Sequence, residues 1–146
     1  MIKDDPYHLR RFLEAQEQVF NTALMELRNG KKITHWMWFI FPQLSALGHS
    51  TTAVFYGISS LDEASAYLQH PMLRDRLEAC ILVLLNCRVL NPIEIFGYPD
   101  HLKFHSSLTL FSIAEPENKV IQEALEKYYH GKPDNETKNI LSIQLK

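Results

Sequence analysis

His35-Trp36-Met37-Trp38-Phe39-Ile40-Phe41-Pro42-Gln43 is the stretch on which the fold class turns. Its aromatic and β-branched residues suit a strand, yet no second strand-like run of comparable strength is present to pair with it. A lone strand leaves its backbone groups unpaired, so the segment reads as a short helix or turn. It ends near Phe41, because Pro42 disfavours helical geometry in the residue before it. With this stretch removed from the strand tally, the chain reads as all-α.

On the N-terminal side, Asp5 and Pro6 supply an N-cap and a first-turn proline for one long helix. Leu9, Leu13, Phe20, Leu24 and Leu27 recur at helical spacing, with Phe12 and Ala23 widening the stripe. Gly30 closes that helix as a left-handed cap, followed by Lys31 and Lys32. On the C-terminal side, residues 45–60 read as loop with a helical turn near Ala53 to Tyr56. Ser60 and Glu63 form a capping-box pattern for the next helix. His70 and Pro71 restart a longer one, whose face is Leu73, Leu77, Cys80, Ile81 and Leu84. Asn91 and Pro92 open a short helix that Gly97 ends. Asp100 is expected to cap another, carrying Phe104, Leu108 and Phe111. Pro116 is expected to start a helix ended by Gly131, and Asp134 to cap a last one. The prediction is a single compact domain over 1–146, with its core from about 5 to 141 and six to eight helices. Leu13, Phe20, Leu24, Leu77, Ile81, Leu84, Leu108 and Phe111 are the predicted core.

Length and composition agree with one globular domain: 146 residues, 46% hydrophobic and 22% charged. Fifteen basic against seventeen acidic residues give a net charge of −2, and no end of the chain is markedly basic. A phosphate-backbone-binding surface is therefore not expected, and nucleic acid is not a predicted partner. Cys80 and Cys87, if on one helix, lie roughly 10 Å apart by the helical rise, too far for a disulfide. They read as thiols in a reducing compartment. The first residues lack the apolar run of a signal peptide, and no apolar run is long enough to span a bilayer. A cytoplasmic location without membrane attachment is the expectation.

Two segments carry candidate chemistry. In the first, the two tryptophans lie two positions apart and diverge by about 200° on a helix. One indole can then share the core while Trp36 or Trp38 stacks a planar group, with His35 and Gln43 hydrogen-bonding it. The competing reading is a hydrophobic wedge. The second segment is Tyr98-Pro99-Asp100-His101-Leu102-Lys103-Phe104-His105-Ser106-Ser107. Asp100, Lys103 and Ser107 share one helical face, with Ser106 beside them. A carboxylate, an amine and two hydroxyls suit recognition of a polar ligand, with Asp100 and Lys103 as the candidate catalytic pair. The competing reading is a helix start with a surface ion pair. His49, in Gly48-His49-Ser50-Thr51-Thr52, sits in a run able to present amides and hydroxyls to an anion. Of the seven histidines, only His101 and His105 stand four apart, without a third ligand on their face, so no metal or cofactor is expected. No phosphate-binding glycine loop or nucleophile elbow occurs.

The runs DPYHLRRFLEAQ, HWMWFIFPQLSALGHS, SLDEASAYLQHPMLRDRL and IFGYPDHLKFHSSLTLF resemble a family of small bacterial proteins of unknown function, over about Asp5 to Leu141. Its members often carry the label calpastatin. That name belongs to a disordered, repetitive protease inhibitor, whereas this chain is repeat-free. The resemblance implies an all-helical fold and no established activity. A weaker similarity, in LQHPMLRDRL, is to the helical N-glycosidases acting on ADP-ribose and riboflavin-pathway intermediates. The glutamate-rich opening motif of that family is missing here, so it implies no catalytic residues.

The functional expectation is a domain that binds or hydrolyses a nucleotide- or ADP-ribose-like molecule. In a hydrolytic version, Asp100 stabilises a cationic sugar-like transition state or activates water. The alternative is a non-catalytic interaction module using an exposed tryptophan-rich patch. Binding and catalysis are both compatible with this residue set.

Overall fold

The computed structural model of the protein describes residues 4–144. Its helices are α1 (Arg10–Glu17), α2 (Phe20–Arg28), α3 (Met37–Ile40), α4 (Thr51–Phe55), α5 (Leu61–Gln69), α6 (Pro71–Leu85), α7 (Pro92–Phe96), α8 (Asp100–Ala114), α9 (Lys119–Tyr129) and α10 (Asn135–Gln144), with a 3-10 turn at Ser45–Leu47. No strand forms among the described residues; a single isolated parallel bridge joins Leu44 and Ile58. The all-α architecture is as expected, with ten α-helices among the described residues instead of six to eight.

The differences from the expected elements coincide with specific contacts. The expected first helix is two, and the carbonyl end of α1 is met by Arg76 from α6, which reaches Leu13 O and Gln16 Oε1 and pairs with Glu17. Asp5 does accept hydrogen bonds, from the amides of Leu9 and Arg10 across an intervening turn and not from a helix starting at Pro6. The inward line of α1 and α2 runs through Phe12, Ala23 and Leu27. Leu13, Phe20 and Leu24, expected in the core, are half-buried at its margin. Ser60 caps α5 by accepting from the Glu63 amide, but the Glu63 carboxylate turns to Ser59 and Arg11 and leaves the capping box half-built. Asn118, not Pro116, caps α9. His70 with Pro71, Asn91 with Pro92, and Asp134 start their helices as the sequence suggested.

Fifteen-residue helices α6 and α8 form the frame. Helix α6 packs on α2, α5 and α9, and α8 packs on α5, α7, α9 and α10. Leu77, Ile81, Leu84, Leu108 and Phe111 are buried as expected. Phe41, at the end of α3, meets Phe104 of α8 at 4.9 Å between ring centroids, which fixes the tryptophan segment against the start of α8. Both cysteines are free; burial pushes the Cys80 thiol up to about 12.

Candidate functional site

The segment between α2 and α3 has no regular structure, and one buried carboxylate organises it. Glu26, facing inward from α2, accepts from the amides of Ile33 and Thr34, the Thr34 hydroxyl and Trp36 Nε1 at 2.6–3.0 Å. Burial alone would push its carboxyl up. The hydrogen bonds outweigh that and hold it at about 2. Trp36 is therefore a wall residue, with no exposed surface and its indole N–H satisfied. Of the two tryptophans, only Trp38 is half-buried and leaves ring surface open. A patch exposing both indoles is not what the chain forms.

Pinned at one end by Glu26, this segment carries Lys32 and His35. The Lys32 backbone donates to the Ile95 carbonyl of α7 at 2.6 Å. Its ammonium lies 2.9 Å from Asp100 Oδ2 and 5.2 Å from the centre of the Trp36 ring. The Lys32 side chain is 6% exposed and that of Asp100 21%. On the other Asp100 oxygen, Oδ1, stands Lys103 Nζ at 3.5 Å. That same ammonium is poised 5.8 Å over the Trp38 ring. The exposed His35 ring completes the group, 6.4 Å from Trp38 between centroids. Four of the residues singled out in the sequence, His35, Trp38, Asp100 and Lys103, are thus neighbours on one open, partly solvated surface.

Asp100 differs from the expectation in its local role. Helix α8 begins with Pro99 at its N-cap and has no side-chain cap, because both Asp100 oxygens are turned to lysines. The other candidates sit apart. The Gln43 carbonyl holds the Ile58 amide, part of the Leu44–Ile58 bridge. His49 lines a separate open depression of about 550 Å³ with Ser50, Thr51, Val54 and Phe55. The Ser106 hydroxyl turns to Leu102 O and Asp134 Oδ2. Ser107, one turn beyond Lys103, is buried, and its hydroxyl has no partner among the described residues. Among the described residues no group of three His, Cys, Asp or Glu side chains is placed to hold a metal ion, and no helix is long and apolar enough to cross a membrane.

Sequence reasoning missed Lys32 and Glu26. Lys32 follows a glycine cap, where lysines are ordinary helix-end residues, and nothing local signals that it is buried. Glu26 sits in an amphipathic helix, where its inward direction appears only once the tryptophan segment folds back onto it.

The chain is 48% identical to the conserved hypothetical protein Rv1873 from Mycobacterium tuberculosis, known from a crystal structure, with a TM-score of 0.92. The match covers 94% of this chain and 99% of that one. No curated protein matches. The model of the family described as "Protein of unknown function (DUF1810)" matches residues 6–141, and the protein belongs to that family.

Proposed function

We propose that the protein binds a planar, anionic small molecule of the nucleotide or ADP-ribose class at the surface formed by His35, Trp38, Asp100 and Lys103. The observation that carries this reading is the Lys103 ammonium poised over the Trp38 ring and paired to Asp100 by a long contact of 3.5 Å. A flat ring stacks on a half-buried indole, and an ammonium with one weak partner donates to an anionic oxygen beside it. Asp100 and Lys103 are the pair proposed to act in any hydrolytic step. Once ligand takes Lys103 from Oδ1, that oxygen faces the bound molecule and stabilises positive charge developing on a sugar.

The test is thermal unfolding with a panel of mononucleotides and ADP-ribose. A ligand at about one hundred times its Kd adds about 2.7 kcal/mol of stability, a rise in Tm of roughly 5–10 °C for a chain of this size. The shift is expected to vanish in Trp38→Ala and Lys103→Ala. A panel that moves no wild-type Tm, or that moves these variants equally, sinks the reading. Chromatography of the incubated ligands separates binding from hydrolysis, with Asp100→Asn as the control for the latter.

A second reading, a protein-interaction surface, draws support from Ile33 and Tyr98, 72% and 79% exposed in the two loops that carry Lys32 and lead into Asp100. Under it, Ile33→Ser and Tyr98→Ser abolish partner binding while leaving small-molecule shifts intact.

A further inference from the structure

We infer that Lys32 is the positioning residue of this surface: it holds the Asp100 carboxylate in the orientation that presents Lys103 on the face of Trp38. The inference rests on the site described under the proposed function and adds a residue to it.

The argument begins with burial. An ammonium removed from water is costly unless paired, and an apolar side chain of the same length would fill the space without that cost. Docking of the segment does not explain the lysine. The Lys32 backbone already fixes the loop to α7 through the Ile95 carbonyl, and Glu26 gathers the amides of residues 33 and 34 and the Trp36 indole. Other cations at least partly buried are used differently. Arg11 directs its guanidinium to the carbonyls of Tyr7, His8, Phe55 and Gly57 as well as to Glu63, closing the fold on itself. Lys127 meets the carbonyls of Leu84, Leu85 and Cys87 at the end of α6. Lys32 Nζ, by contrast, meets one carboxylate oxygen and the Trp36 face, and that carboxylate remains partly open. Its effect is thus on Asp100, whose second oxygen holds Lys103.

The charged groups on Asp100 are Lys32 from the loop and Lys103 from its own helix. Helix α3 brings no titratable side chain, and Glu94 of α7 is exposed. From α9 and α10, Tyr129 bonds the His101 carbonyl and Asp134 bonds Ser106, further along α8. Removing Lys32 therefore leaves Asp100 with one cation, Lys103, 3.5 Å from its other oxygen.

The experiment uses the full chain with nitrogen-15-labelled tryptophan, following the Trp38 indole N–H by NMR at fixed neutral pH. Lys32→Met is expected to shift the Trp38 resonance in the direction in which Lys103→Ala shifts it, as displacement of a cation from the ring face does. Lys32→Arg is expected to restore it. In parallel, AMP is titrated by fluorescence; Lys32→Met should weaken its binding roughly ten-fold. Lys32→Gln serves if the methionine variant does not fold. A purely structural lysine would lower Tm and leave the Trp38 resonance in place. An unmoved Trp38 resonance in Lys32→Met or Lys32→Gln, or one that Lys32→Arg fails to restore, overturns the inference. If AMP binds none of the proteins, the nucleotide reading falls, while the Trp38 resonance still judges Lys32.

Discussion

Arg11 with Glu63 and Lys32 with Asp100 are both buried cations on carboxylates, yet the two regions end differently. Around Arg11 every guanidinium N–H meets an acceptor of the fold, and Glu63 adds the Ser59 amide and hydroxyl to its load. That node joins α1, the end of α4 and the start of α5, and it has no free valence. Around Lys32 the pairing continues outward, through Asp100 to Lys103 and the face of Trp38, and stops where solvent begins. A saturated network rigidifies a fold, whereas one that ends in a half-exposed ammonium over an indole is left with capacity for something else.

The largest expected effect tests the saturated node. Glu63→Ala leaves the Arg11 guanidinium buried without its counter-charge and should destabilise by about 3–5 kcal/mol, read from denaturant midpoints. A loss below about 1 kcal/mol would show that the carbonyls alone satisfy Arg11.

Acid tests the support of the open node. Glu26 is held at about 2 against an ordinary glutamate value of 4.5, so its folded form is depressed. Its contribution is therefore fully present above about 4.5 and is lost as pH falls from there toward about 2. In Glu26→Gln this part of the pH dependence of unfolding should disappear; if the acid limb keeps its slope, other carboxylates carry it.

Lys32→Met should cost less than Glu63→Ala, about 1–2 kcal/mol, because Asp100 is partly solvated and retains Lys103. A cost equal to that of Glu63→Ala would erase the distinction between the two nodes.

The smallest stability effect is expected at the outer end. Lys103→Ala should fall within about 0.5 kcal/mol of wild type, as substitutions at partly solvated positions do. Trp36→Ala, by comparison, should cost about 3–5 kcal/mol. Equal losses at these two positions in thermal or denaturant melts would mean that Lys103 is part of the structural frame.

Much of the local structure was readable from single residues. Asn91 and Pro92, His70 and Pro71, and Asp134 act within their own turn, so sequence places their helices well. Asp100 looked like the same kind of residue. It is not, because a lysine 68 positions earlier in the chain competes for its carboxylate. Glu63 deviates for a similar reason: Arg11 from a distant helix takes the oxygen that a capping box would return to the backbone. The core assignment on α1 and α2 shifted by a fraction of a turn, since helical periodicity defines a stripe but not which edge of it faces α6.

By itself the sequence determined that the chain is all-helical and where several of its helices begin, since caps, prolines and apolar spacing act over a few residues. It also marked His35, the tryptophan pair, Asp100 and Lys103 as unusual polar and aromatic company in apolar segments. Only the tertiary structure decided which indole is wall and which is surface, because that depends on Glu26 reaching across from α2 to the Trp36 N–H. It also decided that Lys32 joins the group. An ion pair between residues so far apart in sequence has no local signature; it exists because α3 and α7 bring the segment after α2 against the first turn of α8.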